Sequence, residues 1–126
     1  MATEKYLSVE DIIAHKFASE VAEIVWNEVQ TWPWIAKKTI GVQWIESTDS
    51  ISANIAEGFG RFHKKDKVKF YYNAKGSLLE SIDWTKKALK RTLISESKAK
   101  EILEILKRLP REIHFQIRYT MENLEK

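Results

Sequence analysis

Apolar residues recur every three or four positions along most of the chain, which is the spacing of the buried face of an amphipathic α-helix. This pattern predicts four helices. The first begins after Ser8, a typical N-cap residue, and runs to about Gln30 before Pro33 stops it. The buried stripe predicted for this helix consists of Ile13, Phe17, Val21, Ile24, Val25 and Val29.

The second predicted helix ends within the stretch ANIAEGFGRFHKK, residues 53–65. Its apolar stripe stops at Gly58 and Gly60, and we expect one of these glycines to adopt the left-handed conformation that often follows a helix end. The stripe consists of Ile40, Trp44, Ile51, Ile55 and Phe59.

The third predicted helix has Asp66 as its cap and many lysines and arginines in its last turns, where they suit the negative end of a helix dipole. Gly76 lies inside this helix. Because glycine costs about 1 kcal/mol relative to alanine in a helix, we expect Gly76 to permit the close approach of a neighbouring helix. The stripe consists of Tyr71, Ala74, Leu78, Ile82, Thr85 and Leu89.

The fourth predicted helix starts at Ser95 and contains Pro110 within its apolar pattern. Proline removes a backbone donor and crowds the preceding turn. The sequence therefore leaves two alternatives open: the helix is kinked at Pro110, or a short turn splits it into two pieces. The stripe consists of Ile102, Leu106, Leu109, Ile113 and Ile117.

Four helices with short connections and no strand pattern predict an all-α fold, an antiparallel up-and-down four-helix bundle. The length of 126 residues suits a single domain, and we assign residues 1–126 to one four-helix bundle domain. The chain has only 4 glycines and 2 prolines, fewer than turn-rich β folds use, which also favours long helices.

The absence of cysteine excludes disulfides and thiolate metal sites. The first residues lack the basic and apolar regions of a signal peptide, and no apolar run approaches the roughly 20 residues that span a bilayer. These features predict a cytoplasmic protein without membrane contact.

The chain has five tryptophans, more than a bundle of this size is expected to bury together with its other aromatic residues. Surplus aromatic side chains are typical of protein interfaces, so we expect self-association. The residues that cannot all lie inside are Trp26, Trp32, Trp34, Tyr72 and Trp84.

The net charge of +3 is unevenly distributed along the chain. Residues 1–60 contain 4 Lys/Arg and 9 Asp/Glu, whereas residues 61–91 contain 10 Lys/Arg and 3 Asp/Glu. A basic block of this kind is either a solvated helix face or a surface that binds a polyanion.

Cations and aromatic residues alternate at the start of this block. Such a mixture can hold phosphates with its cations and stack bases on its rings, or it can be a solvated lysine face above core aromatics. The candidate nucleic-acid contacts are Arg61, His63, Lys64, Lys65, Lys67 and Lys69. The interleaved rings are Phe59, Phe62, Phe70, Tyr71 and Tyr72.

The sequence predicts no catalytic, cofactor-binding or metal-binding residues. The glycines of GFGRFHKK end a helix, whereas a phosphate-binding loop has its glycines before one. His15, His63 and His114 are dispersed, and none follows an acid at the Glu-x-x-His spacing of bundle metal sites. We interpret the polar residues at facing positions of the second and third helices as a structural inter-helix polar cluster of Asn54, Glu57, Ser77 and Glu80.

Two motifs, SISANIAEGFGR (50–61) and AKGSLLES (74–81), resemble the four-helix bundle proteins encoded in intervening sequences of 23S ribosomal RNA genes. The chain is also similar to accessory proteins of diversity-generating retroelements. The resemblance implies a bacterial homopentamer with no established enzymatic activity. Its retroelement relatives associate with nucleic acid and with a reverse transcriptase.

The chain departs from this family at two places. Ser52 replaces the usual proline, and VQWIESTDS stands where members carry a more basic sequence. The second departure leaves residues 61–69 as the main candidate for nucleic-acid contact.

We therefore predict a non-enzymatic, oligomeric binding or scaffold protein that binds RNA or DNA non-specifically through a basic surface, with no cofactor. The alternative is a structural oligomer whose basic face binds an acidic protein partner, for example within a reverse transcriptase complex.

Overall fold

Four long helices make up most of the structure, a computed structural model that describes residues 8–124. Within those residues there is no strand, which confirms the predicted all-α class. A short helix, α2, leads through a π-helical turn at Lys37–Gly41 directly into the second long helix. The helices are α1 (Ile13–Val29), α2 (Trp34–Ala36), α3 (Val42–Gly60), α4 (Lys64–Lys90) and α5 (Glu96–Asn123).

Each long helix packs against two others around a shared core. The helix α1 contacts α3 and α5, and α4 contacts the same two helices from the other side. All five predicted stripe positions of α5 are buried in that core. The other three stripes are buried or half-buried except at Ile13, which is 47% exposed, while Ile12 is buried instead. The largest fully buried side chains include Trp44, Tyr71, Leu78, Leu106 and Leu109.

Two buried hydrogen bonds join α3 to α4. Trp44 Nε1 donates to Thr85 Oγ1 at 2.9 Å, and Ser81 Oγ donates to Ser47 Oγ at 3.0 Å. These bonds join the first half of α3 to the second half of α4. Because buried polar groups without partners are costly, they fix the register of the two helices.

The close approach of α3 and α4 occurs at Gly58 and not at Gly76. A Cβ atom on Gly58 would lie 2.7 Å from Tyr71 Cε1 and 3.0 Å from the Lys67 carbonyl oxygen. A Cβ on Gly76 would meet no atom of residues 8–124 within 4 Å, because Gly76 faces outward. The prediction for Gly76 is therefore wrong.

The π-helical turn brings the start of α3 against the end of α1. A Cβ atom on Gly41 would lie 2.8 Å from Val29 Cγ1 and 3.1 Å from the Ala36 carbonyl oxygen. The glycine at this position is thus explained by close packing.

The helix ends differ in part from those predicted. The helix α3 does end at Gly60, but no glycine among residues 8–124 has a positive φ, so the expected left-handed stop is wrong. The residue after it, Arg61, is extended instead. The cap position of α4 is His63, and Asp66 lies in the first turn.

At the start of α5, Ser95 is the N-cap as predicted, because its Oγ accepts a hydrogen bond from the Lys98 backbone N–H at 3.1 Å. The helix then continues through Pro110 to Asn123, so it is not split into two pieces.

The tryptophans divide between the core and the surface. Trp32 and Trp44 are buried, with stacked rings whose centroids lie 5.5 Å apart. Trp26 and Trp34 are 51% and 69% exposed. Among residues 8–124, no helix combines the length and the apolar character that crossing a bilayer requires.

Candidate nucleic-acid interface

The connection between α3 and α4 consists of residues 61–63 and carries the first predicted cations. The Arg61 N–H donates to the Gly58 carbonyl at 3.2 Å, and the Lys67 N–H donates to the His63 carbonyl at 3.0 Å. These backbone bonds hold the connection short and place the cluster at one end of the bundle.

Lys67 differs from the other predicted contacts because its side chain is 5% exposed. Its Nζ donates to the Phe59 carbonyl oxygen at 2.6 Å and lies 5.5 Å from the centre of the Phe59 ring. A cation at the carboxyl end of α3 satisfies a free carbonyl and offsets the helix dipole. Lys67 therefore stabilises the helix end and is not available to a phosphate.

The remaining predicted cations form a cluster that solvent can reach. Lys64 is half-buried, and its Nζ donates to the Leu124 carbonyl oxygen at 3.4 Å, which links the start of α4 to the end of α5. The other four are exposed and are called here the exposed cluster: Arg61, His63, Lys65 and Lys69.

Arg61 is held by two neighbours. Its guanidinium forms an ion pair with Glu57 at 2.9 Å and lies 4.7 Å from the centre of the Phe70 ring. Both charged side chains are about half exposed, and exposed pairs contribute little to stability. The Glu57 carboxylate would thus compete with a phosphate for Arg61. Within residues 8–124, neither Lys65 nor Lys69 forms an ion pair.

The four residues of the predicted polar cluster make their hydrogen bonds within their own helices. Asn54 Nδ2 donates to the Ser50 carbonyl, and Glu80 accepts from Trp84 Nε1 at 3.1 Å. Glu57 pairs with Arg61, as described above. For Ser77, the backbone carbonyl accepts the hydroxyl of Ser81.

Within residues 8–124, the structure therefore shows no hydrogen bond among these four side chains. The polar side-chain pairs between the two helices are those of Trp44 with Thr85 and of Ser47 with Ser81, beside the bond from Lys67 to the Phe59 carbonyl. Facing positions on a helical wheel do not fix which turns of two helices meet, and this register is what the sequence left open.

A second basic and aromatic surface, on α5, was missed by the sequence analysis. Arg111, His114 and Arg118 are exposed on one face, and Phe115 stacks against Tyr119 with ring centroids 6.2 Å apart. The sequence signal is the three- and four-residue spacing of Arg111, His114 and Arg118. The apolar stripe of the helix does not reveal it, because these exposed residues lie outside the stripe.

Among residues 8–124, partial burial is the main cause of a shifted pKa at two groups outside these surfaces. Partial burial lowers the pKa of His15, and the Glu10 carboxylate partly offsets this effect. Partial burial raises the pKa of Asp49, and the neighbouring Glu23 carboxylate acts in the same direction. Neither residue belongs to the candidate interface.

In the part of the chain that the structure describes, no group of three or more His, Asp or Glu side chains could hold a metal ion.

The fold and the site define the chain as an all-helical protein of four long helices with basic side chains exposed at one end of the bundle. It belongs to the family of 23S rRNA-intervening sequence proteins, whose model matches residues 10–114. Among curated proteins, the chain has no match.

Proposed function

We propose that the protein is a cytoplasmic, non-enzymatic oligomer that binds RNA or DNA without sequence preference. The observation that carries this proposal is the exposed cluster of Arg61, His63, Lys65 and Lys69 around a short connection. Cations that project into solvent can neutralise phosphates at little cost in desolvation, and phosphate contacts supply most of non-specific affinity.

The oligomeric part of the proposal is supported by large apolar side chains on the surface. Trp34 is 69% exposed, Leu79 is 60% exposed and Tyr72 is 55% exposed. Large aromatic side chains are enriched at protein interfaces. Together with the family resemblance, this exposure supports a homopentamer.

We also propose that successive long helices alternate in direction. The pairing of Trp44 with Thr85 and of Gly58 with Tyr71 supports this arrangement for α3 and α4. The bond from Lys64 to the end of α5 supports it for α4 and α5.

The test is the salt dependence of binding to a labelled single-stranded RNA and to a DNA duplex. If n phosphates are contacted, log K should fall with log salt at a slope of about −0.7n for single strands and about −0.9n for the duplex. The variant Lys65→Gln/Lys69→Gln should lower the affinity for both and reduce the slope by about one to two units.

Lys86→Gln/Lys90→Gln is the matched control, because both lysines are exposed on the same helix at its other end. It removes the same charge and should change the slope of log K against log salt less than Lys65→Gln/Lys69→Gln does. Equal effects of the two variants would show that net charge alone matters. Absent or salt-insensitive binding would refute the proposal and favour an acidic protein, such as a reverse transcriptase subunit, as the partner.

A further inference from the structure

The second half of α5 is basic on its outer face, whereas its first half is not. Residues 107–118 contain four Lys/Arg and one Glu, but residues 96–106 contain two Lys and three Glu. The helix therefore has a cationic portion that begins near its middle.

Two grooves lie along this cationic portion and share Arg111. One, of about 370 Å³, is lined by residues of α5 that include His114, Phe115 and Arg118. The other, of about 470 Å³, is lined by Lys107, Arg108 and Glu112 of α5 and by one residue of α1. The two grooves meet at the Arg111 side chain, and together they are called here the α5 track.

Aromatic rings are part of the same track. Phe115 is 45% exposed and stacks on Tyr119 with an interplanar angle of 29°. An exposed ring beside guanidinium groups offers a face on which a base can stack while the cations hold the backbone. Arginine suits this role because its planar group both stacks and binds phosphate in a bidentate manner.

The acids of the track do not block it. Glu122 pairs with Arg118 at 3.2 Å, and both side chains are more than 60% exposed. Because an exposed ion pair of this kind is weak, a phosphate can displace the carboxylate. Four Lys/Arg side chains line the track against two carboxylates, those of Glu112 and Glu122.

The α5 track lies at the same end of the bundle as the exposed cluster. The hydrogen bond from Lys64 Nζ to the Leu124 carbonyl joins the start of α4 to the end of α5.

We infer that the α5 track binds single-stranded nucleic acid, with an unstacked base on Phe115 and phosphates held by Arg111 and Arg118. The inference rests on the proposed function and deepens it, because it selects single strands, whose bases are free to stack, over duplexes. An acidic peptide also matches the cations, and polyglutamate is therefore used as its probe in the experiment.

The experiment compares two labelled oligonucleotides of equal length, oligo(dT) and an abasic strand with the same phosphates, by fluorescence anisotropy. The wild-type protein should bind oligo(dT) more tightly than it binds the abasic strand. Phe115→Ala weakens oligo(dT) binding by about 5- to 100-fold and leaves abasic binding unchanged, because only the base contact is lost. Arg111→Gln/Arg118→Gln weakens binding of both strands.

Trp26→Ala is the matched control, since Trp26 is an exposed ring on α1, outside the track. It leaves both affinities unchanged. Phe115→Leu keeps apolar bulk without the ring and should behave like Phe115→Ala, which separates stacking from misfolding.

The inference is overturned if Phe115→Ala binds like Trp26→Ala, or if wild type does not distinguish the two strands. In either case the proposed function survives when Lys65→Gln/Lys69→Gln still weakens binding. Failure of wild type to bind any strand at low salt overturns both. Equally tight binding of polyglutamate also overturns the inference, because it would indicate an acidic protein partner.

Discussion

At the scale of single residues, Gly58 and Gly76 should respond in opposite ways to an added methyl group. Gly58→Ala would force a Cβ into Tyr71 and should destabilise the fold by about 1–3 kcal/mol. Gly76→Ala meets open space within the single chain and removes the helix penalty of glycine, so it should stabilise the unassociated chain by about 0.5–1 kcal/mol. Urea unfolding at one protein concentration measures the free energy of unfolding of both variants. Equal changes in the two variants would contradict the packing described for these helices.

Lys67 should behave as a structural residue although it lies among surface lysines. Lys67→Met leaves the Phe59 carbonyl without its charged donor, and we expect a loss of about 1.5–3 kcal/mol in the free energy of unfolding. Lys65→Met, at an exposed position on the same helix, should change it by less than about 0.5 kcal/mol. Thermal unfolding that ranks the two variants in the reverse order would refute the role assigned to Lys67.

At the scale of secondary-structure elements, Pro110 lies within a continuous helix and cannot donate to the carbonyl four residues before it. Because its side chain is exposed, Pro110→Ala should restore that bond without disturbing the core. We expect a stabilisation of about 1–3 kcal/mol in chemical unfolding. Lys100→Ala, also exposed on α5, is the control and should have little effect; a destabilised Pro110→Ala protein would contradict this explanation.

The helices were predictable because their stripes follow a 3.6-residue period over long stretches, as the fully buried stripe of α5 shows. The junctions between the helices were less predictable. Either of two closely spaced glycines, Gly58 and Gly60, satisfies a helix-end pattern, and only the fold reveals that Gly58 serves packing against Tyr71. The role of Gly76 was misjudged because a helix periodicity does not say which neighbour, if any, faces a given turn.

The candidate site was also predictable from the sequence only in part. Sequence composition located the basic block, since charge counts need no tertiary information. It could not separate Lys67 from Lys65 and Lys69, because burial depends on where the end of α3 lies relative to the first turn of α4. The position of the α5 track relative to the start of α4 likewise needs the fold, which brings the end of α5 beside Lys64.

At the scale of the whole molecule, the outer face of α4 should take part in self-association. Tyr72 and Leu79 are exposed on this face, on either side of the open Gly76. Light scattering of wild type should give about five times the chain mass of 14.8 kDa. Tyr72→Gln/Leu79→Gln should lower that mass, because it removes exposed apolar surface at the proposed contact.

Lys86→Gln/Lys90→Gln changes the same helix without removing apolar surface and should leave the mass unaltered. A wild-type monomer would refute self-association. An unchanged mass for the Tyr72 and Leu79 variant would place the contact on another face.

The π-helical turn at Lys37–Gly41 has a consequence for how the chain tolerates changes in length. A π-turn holds one residue more than an α-turn, and one residue corresponds to about 100° of helix rotation. Deleting one residue there would convert the π-turn into an α-turn, so the segments on both sides would keep their places, with Trp32 and Ile40 still buried in the core. A one-residue deletion in this turn should therefore be tolerated better than one in the middle of a long helix, where it would rotate buried side chains out of the core.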